Sequence, residues 1–134
     1  MPDRVFFDTN VLIYAMAEGD PRTQEAEDLF TAGGVVSVQV LSEFARVARG
    51  KMKMPWGHVR DALEVIQIFC PEPRPITLIT HQDALPIAEK YGFGVFDALI
   101  VASALEAKCS ILYSEDMQDR QVIDGRMRIR NPFA

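Results

Sequence analysis

The order of strand-like and helix-like segments constrains the fold of this 134-residue chain more than any other feature. Short apolar runs, rich in β-branched or aromatic residues, predict strands at 4–8, 35–38, 76–79 and 110–114 and an edge strand at 127–131. Helical periodicity, or helix start and stop signals, mark the segments 10–17, 20–34, 38–49, 56–69, 81–92 and 97–108. Because strands that alternate with helices are typical of a parallel sheet covered on both faces, we predict an α/β fold: a three-layer α/β/α sandwich with a central, mostly parallel sheet.

Composition and linkers indicate a single ordinary globular domain over residues 1–134. Apolar residues make up 49% of the chain and charged residues 25%, and the Pro-rich stretch at 71–75 is too short to separate domains. Cys70 and Cys109 are far apart and in no CxxC pair, so we expect reduced core thiols. Since no signal peptide or membrane-spanning run is evident, we expect a cytoplasmic protein without a membrane partner.

Four acidic residues fall where a parallel sheet of this kind binds its ligands, beyond the carboxyl ends of the strands. Asp8 closes the first strand, Asp97 opens the apolar helix 97–108, and Asp116 follows the strand 110–114 by two residues. Glu43 lies on one flank of the apolar stripe of helix 38–49, so its carboxylate can reach towards the same edge. We therefore predict that these four carboxylates converge.

Carboxylates that converge repel one another, and a divalent cation removes that repulsion. All-oxygen donors suit Mg²⁺ or Mn²⁺, and the absence of histidine from the set argues against zinc. Each acid alone also has an ordinary explanation: Asp8 and Asp97 as helix caps, Glu43 as a partner of Arg46, and Asp116 as a turn residue. The net charge of −5 argues against a general nucleic-acid coat protein but not against a nuclease that works through a cation.

A basic segment, defined as residues 45–60, lies close to Glu43 in sequence. It carries five cations and no acid: Arg46, Arg49, Lys51, Lys53 and Arg60. Such a strip beside an acidic metal site suits binding of an RNA backbone through Arg46, Arg49, Lys51 and Lys53, and a solvated helix end explains it equally well. Trp56 lies in the same segment, and we expect it to pack against the protein rather than to stack on a base.

Four motifs, in this order and spacing, resemble the PIN-domain ribonucleases, and most of all the VapC-type toxins of bacterial toxin–antitoxin pairs. They are FFDTNVLIYA at 6–15, SVQVLSEF at 37–44, FDALIVASAL at 96–105 and ILYSEDM at 111–117, followed by RIRNPF at 128–133. The resemblance implies a PIN-like fold, Mg²⁺- or Mn²⁺-dependent endonucleolytic cleavage of RNA, frequent homodimers and inhibition by a small antitoxin protein.

The resemblance also implies roles for individual residues. Asp8, Glu43, Asp97 and Asp116 would form the catalytic metal site, which Asn10 and Ser114 would support. Many relatives carry a further acid two residues after the fourth, where this chain has Gln118. The nearest acid is Asp119, and a helical turn would be needed for it to face the site, which leaves binding of a second ion open.

The mechanism implied is attack by metal-activated hydroxide on the scissile phosphate, with 5′-phosphate and 3′-hydroxyl products. Three rival functions remain: a PIN-like domain that binds RNA or protein without cutting, a housekeeping RNA-processing nuclease, and an aspartyl-phosphate phosphotransferase. The last is disfavoured because such enzymes usually need a second acid where this chain has Asn10. Apolar surface on 11–17 and 97–108 suits either a homodimer or an antitoxin groove, and the sequence does not separate these from ordinary core.

Overall fold

The structure, a computed structural model, describes residues 3–134 and contains six helices and four strands within them. Met1 and Pro2, the start of the predicted domain and of its N-terminal segment, lie outside the described residues. The elements are β1 (Val5–Phe7), α1 (Thr9–Met16), α2 (Thr23–Thr31), α3 (Val38–Gly50), α4 (Trp56–Phe69), α5 (Leu78–Tyr91), α6 (Val95–Glu106), β2 (Ile111–Tyr113), β3 (Val122–Ile123) and β4 (Met127–Arg130). That the chain forms a single domain stays a prediction.

The sheet has the strand order β1-β2-β4-β3, and its first three strands run parallel. Phe6 of β1 pairs with Leu112 of β2, which pairs in turn with Ile129 of β4. Only β3 runs antiparallel, as the second partner of β4. The predicted α/β/α sandwich with a mostly parallel sheet is confirmed, and the parallel order brings the ends of β1 and β2 to the same edge.

Three predicted strands differ in the structure. Segment 76–79 is not a strand, because Thr77 begins α5 with a capping box in which it and Thr80 exchange hydrogen bonds. Segment 35–38 forms only two isolated bridges, since Ser37 already caps α3 by accepting from the N–H of Val40. Segment 127–131 is not at the edge, because β3, the strand just before it in the chain, pairs antiparallel with its outer side.

Helix α6 is buried over nearly its whole length, from Ala98 to Leu105. Its sequence is apolar all round, and such a helix is stable only when neighbours cover every side. The sheet contributes Phe6, Leu112 and Ile129, each fully buried, to the same core. Asp97, in the first turn of α6, is thereby held at a fixed place beside the strand ends.

Gly34 shows how tightly the chain closes on β1. A Cβ added at Gly34 would lie 2.5 Å from the ring of Phe7, so no larger residue fits without a shift of that buried ring. Cys70 and Cys109 are free and buried, and burial raises the pKa of each thiol to about 11. None of the helices between residues 3 and 134 combines the length and the apolar character that crossing a bilayer requires.

Candidate active site

A cavity of about 490 Å³ opens beyond the carboxyl ends of β1 and β2, and we call it the carboxylate cavity. Its walls include all four acids that the sequence singled out, namely Asp8, Glu43, Asp97 and Asp116. Further lining residues come from α1, the following loop, α3 with the turn after it, and the segment after β2: Thr9, Asn10, Ile13, Tyr14, Ala17, Asp20, Arg22, Arg46, Val47, Lys51, Met52 and Glu115. The structure therefore brings the four acids around one space, while their catalytic role stays a prediction.

Asp8 is the most buried of the four acids, with only 4% of its surface exposed. Its Oδ1 accepts a hydrogen bond of 2.7 Å from the N–H of Thr9, and its Oδ2 accepts one of 2.8 Å from the hydroxyl of Ser114. The pKa of Asp8 is raised to about 6: burial raises it most, these two hydrogen bonds lower it, and the nearby Asp97 and Glu43 contribute to the rise. The protein thus holds a carboxylate where its negative charge is costly.

Ser114 and Asn10 tie the loop after β2 to the strand ends. The hydroxyl oxygen of Ser114 accepts from the N–H groups of Asp116 (3.2 Å) and Met117 (3.4 Å) while its proton goes to Asp8. The Asn10 amide donates to Oδ2 of Asp116 at 3.2 Å and accepts from the N–H of Glu115 at 3.2 Å. Both residues therefore lie where the sequence predicted supporting polar groups.

Glu43 is held from both of its carboxylate oxygens by residues that the sequence reasoning did not assign to the site. Its Oε2 accepts from the hydroxyl of Thr9 at 2.8 Å, and its Oε1 accepts from the amide of Gln39 at 3.1 Å. The Gln39 amide also donates to the carbonyl of Phe96, directly before Asp97, at 3.0 Å. Gln39 thus links α3 to the start of α6, and its position one turn before Glu43 was the available signal.

The wall of the carboxylate cavity contains more acids than basic residues, six against three. Among residues 3–134, none of the four acids that the sequence singled out forms an ion pair with Lys, Arg or His, although Arg46 and Lys51 line the same cavity. The side chain of Asp97 makes no hydrogen bond to any other described residue, and its pKa is raised by burial and then by Asp116 and Glu43. The cavity is therefore a net negative site in which these four acids have no ion-pair partner among the described residues.

The donor set fits a hard divalent cation in its chemistry, although the side chains do not form a closed cage. Within the described part of the chain, no group of three or more His, Cys, Asp or Glu side chains is arranged to hold a metal ion. Mg²⁺ usually keeps several waters and takes only one or two protein carboxylates, so it does not need such a cage. All four candidate donors are carboxylates, as Mg²⁺ and Mn²⁺ prefer.

Some predicted residues lie away from the carboxylate cavity. Asp119 is not in its wall, because its Oδ1 accepts from the N–H of Asn131 at 2.8 Å near the end of β4. Of the four proposed RNA-binding cations, Arg46 and Lys51 line the cavity, and Arg49 and Lys53 do not. The expectation that Trp56 packs against the protein is wrong, since 56% of its surface is exposed.

The rim of the cavity also contains an ion network that sequence reasoning missed. Glu115 accepts from the hydroxyl of Tyr14 at 2.5 Å and from the guanidinium of Arg22 at 2.9 Å. Arg22 in turn pairs with Asp20 at 2.9 Å and lies 3.9 Å from the centre of the Tyr14 ring. These contacts neutralise Glu115, the direct neighbour of Asp116, and they depend on residues almost a hundred positions apart.

The family of the chain follows from a comparison with known protein families. The model of the PIN domain family matches residues 5–122, which is most of the chain. The chain therefore belongs to the PIN domain family, as its motifs suggested. Among curated proteins, none matches the chain in sequence.

Solved structures with similar folds come from bacterial toxins. A toxin–antitoxin complex from Klebsiella pneumoniae contains a chain that is 20% identical, with a TM-score of 0.72 and coverage of 96% of this chain and 97% of that one. The sarcin–ricin loop cleaving toxin VapC20 of Mycobacterium tuberculosis is 17% identical, with a TM-score of 0.66 and coverage of 84% and 91%. A chain of the Rickettsia felis VapBC2 complex with promoter DNA is 18% identical, with a TM-score of 0.66 and coverage of 95% and 97%. At these identities the likeness establishes the fold alone.

Proposed function

We propose that this protein is an Mg²⁺- or Mn²⁺-dependent endoribonuclease and the toxin of a type II toxin–antitoxin pair. The observation that supports the chemistry best is the carboxylate cavity, where four acids lie together and none forms an ion pair with any residue between 3 and 134. A site of this charge gains most from a divalent cation, and Mg²⁺ or Mn²⁺ at carboxylates typically serves phosphoryl chemistry.

In the proposed reaction, Asp8, Asp97 and Asp116 would hold the cation. A cation there would lower the pKa of a bound water and offset negative charge on the phosphate oxygens. Glu43, which Thr9 and Gln39 hold in place, orients the attacking water. In-line attack on the scissile phosphate forms the new P–O bond and breaks the bond to the 3′ oxygen, which leaves with a proton. The products carry 5′-phosphate and 3′-hydroxyl ends.

The substitution Asp8→Asn tests the assignment of the site, because it keeps the shape of the side chain and removes its charge. We expect purified wild-type protein to cut labelled single-stranded RNA when Mn²⁺ is added, and Asp8→Asn protein to lose that cleavage. The matched control is Asp83→Asn, at an acid outside the carboxylate cavity, which should cut at the wild-type rate. If Asp8→Asn protein cuts as fast as wild type, the proposed site is wrong.

The partners are proposed from the similar structures. Two of them are toxin–antitoxin complexes, one of which is bound to promoter DNA. We accordingly propose that the chain acts in the cytoplasm, forms a homodimer, and is inhibited by a small cognate antitoxin. Expression in a bacterial host should arrest growth, and co-expression of the small protein encoded beside it should rescue growth. Growth arrest without rescue by that neighbour would instead favour a housekeeping RNA-processing nuclease.

A non-cutting PIN domain that binds RNA or protein is the second candidate. It is favoured by one observation, the lack of a preformed group of three metal-binding side chains among residues 3–134. Isothermal titration with Mn²⁺ separates the two candidates. A nuclease should show a binding site that Asp8→Asn removes, whereas a binding domain without a metal should show no site in either protein.

A further inference from the structure

Trp56 lies on the surface of the protein, where a large apolar ring is least expected. It is the only tryptophan of the chain, and it lies at the first position of α4 with 56% of its surface exposed. Tryptophan ordinarily buries most of its large apolar surface against the protein. A tryptophan left in solvent at a fixed position is therefore a candidate contact for another molecule.

The ring is held in place by the turn between α3 and α4. The guanidinium of Arg49 lies 4.6 Å from the centre of the Trp56 ring, and its Nη1 donates to the carbonyl of Met54 at 2.9 Å. Backbone N–H groups of Lys51 and Met54 donate to carbonyls of α3 at 2.9 and 2.8 Å. Because the ring and its cation are already ordered, a ligand that binds them loses little conformational entropy.

This pair continues a basic wall that starts inside the carboxylate cavity. Glu43, Arg46 and Arg49 follow one another at spacings of three residues along α3, and residues at that spacing are neighbours on a helix surface. Arg46, together with Lys51 and Met52 of the turn before Trp56, lines the cavity itself. The basic segment 45–60 contains five Lys or Arg and no Asp or Glu, in a chain whose net charge is −5. These basic residues therefore attract a polyanion along one path, which leads from the acids of the carboxylate cavity to Trp56.

We propose that Trp56, backed by Arg49, is a stacking subsite for an unpaired base of single-stranded RNA. The phosphates next to that base lie along Arg46 and Lys51, and the phosphate to be cut lies at the carboxylates. Stacking on an aromatic ring needs a base whose flat face is free, which a duplex does not offer. This inference rests on the proposed ribonuclease function and names its substrate class, an RNA with an unpaired segment.

The fluorescence of the only tryptophan gives a readout of this subsite in the unmodified protein. We would titrate wild-type protein, in a chelator that prevents cleavage, with a mixed-sequence single-stranded oligoribonucleotide and with the same strand annealed to its complement. The single strand should quench the Trp56 emission in a saturable way, and the duplex should bind at least about tenfold more weakly, since loss of one stacked base costs about that factor.

Variants then assign the contact by the anisotropy of a labelled single strand. Trp56→Ala should weaken binding about tenfold, and Trp56→Phe, which keeps a ring, should retain most of the affinity. The matched control is Ile68→Ala, which removes an even more exposed apolar side chain (72%) near the other end of the same helix and should change nothing. Circular dichroism of each variant confirms that α4 is intact.

Two results would overturn the proposal: an unchanged Trp56 emission while the labelled strand binds, or Trp56→Ala protein that binds like Ile68→Ala protein. Failure of wild-type protein to bind the strand at all would also overturn it. The proposed nuclease is tested separately by adding Mn²⁺ to the bound complex. Binding with stacking but without cleavage refutes the nuclease and leaves the subsite standing.

Discussion

Two acid-lined cavities of similar size differ in how their acids are paired with basic side chains. The carboxylate cavity has about 490 Å³, and a second cavity of about 380 Å³ lies at α5, α6 and the β3–β4 hairpin. In the second cavity, Asp124 accepts from the hydroxyl of Tyr91 at 2.9 Å and lies 3.6 Å from the amine of Lys90. Arg126 stands in the same wall, and Glu106 accepts from Thr80 at 3.1 Å.

The comparison teaches that the number of acids does not define a functional site. In the second cavity Asp124 lies 3.6 Å from the amine of Lys90, so the charge of that acid is offset by an ion pair within the protein. In the carboxylate cavity a buried Asp8 faces two further acids, and no cation of the described chain pairs with any of them. Uncompensated charge that persists at a cost to folding is typical of a site kept for function.

The largest expected difference between the cavities is in catalysis. Asp97→Asn should lower the rate of RNA cleavage by about 100-fold or more, because metal-assisted charge stabilisation contributes several kcal/mol to such reactions. The side chain of Asp97 makes no hydrogen bond to the described residues, so the amide should leave the fold intact. Cleavage of labelled RNA at fixed Mn²⁺, with thermal unfolding as a check, measures both. Glu106→Gln, in the second cavity, is the control, and equal losses in the two variants would contradict the distinction.

The next effect is on stability as a function of pH, measured without divalent cations. The pKa of Asp8 is about 6 in the folded protein and 3.8 in the unfolded chain, so the folded state keeps the proton longer. The contribution of Asp8 to the free energy of unfolding is therefore fully present below about pH 4 and is lost as the pH rises through about 6. At neutral pH the free energy of unfolding is about 3 kcal/mol lower for this reason. Denaturant unfolding of wild-type and Asp8→Asn proteins at several pH values isolates this effect. The contributions of the other titratable groups are the same in both proteins and cancel when the two free energies of unfolding are subtracted. A difference that does not change between pH 4 and pH 7 would refute it.

A smaller effect on stability is expected at Ser114, whose hydroxyl donates a hydrogen bond to Asp8. Ser114→Ala removes the hydroxyl that donates to a buried carboxylate, which should lower the free energy of unfolding by about 1–3 kcal/mol at neutral pH. Ser103 is a matched control, since it is also fully buried but its hydroxyl has no hydrogen-bond partner in the described chain. Ser103→Ala should be neutral or slightly stabilising. A larger loss at Ser103 than at Ser114 would mean that the bond to Asp8 does not matter.

The smallest effect concerns the link between α3 and α6. Gln39→Ala frees Glu43 on one side and should slow cleavage about two- to tenfold, the range that corresponds to one hydrogen bond. Gln67→Ala is the control, because Gln67 donates only within α4, away from the carboxylate cavity. Rates of the two variants at saturating Mn²⁺ decide the point. If the Gln39 variant matches the Gln67 variant, Gln39 has no positioning role.

Sequence reasoning located the acids because their positions follow from local rules. Asp8 comes directly after a strand and Asp97 lies in the first turn of an apolar helix, two residues after the helix begins, and the parallel topology then brings these points together. The same rules failed at 76–79, where Ile76 and Ile79 resemble a strand but Thr77 and Thr80 cap a helix.

Contacts between elements that are far apart in the sequence could not be predicted from it. Gln39 reaches the carbonyl of Phe96, and Arg22 reaches Glu115, and neither pairing has a signature within its own segment. The exposure of Trp56 belongs to the same class, because an aromatic residue at a helix start is more often buried. These features depend on how packed elements face one another, which periodicity does not encode.

The most direct test is a crystal of the protein soaked in Mn²⁺, with an anomalous difference map. A peak in the carboxylate cavity, within direct or water-bridged reach of Asp8 and Asp97, is the expected result, and the second cavity should stay empty. An empty carboxylate cavity, or a peak beside Asp124 instead, would contradict the central claim that uncompensated carboxylates at the strand ends bind a catalytic cation.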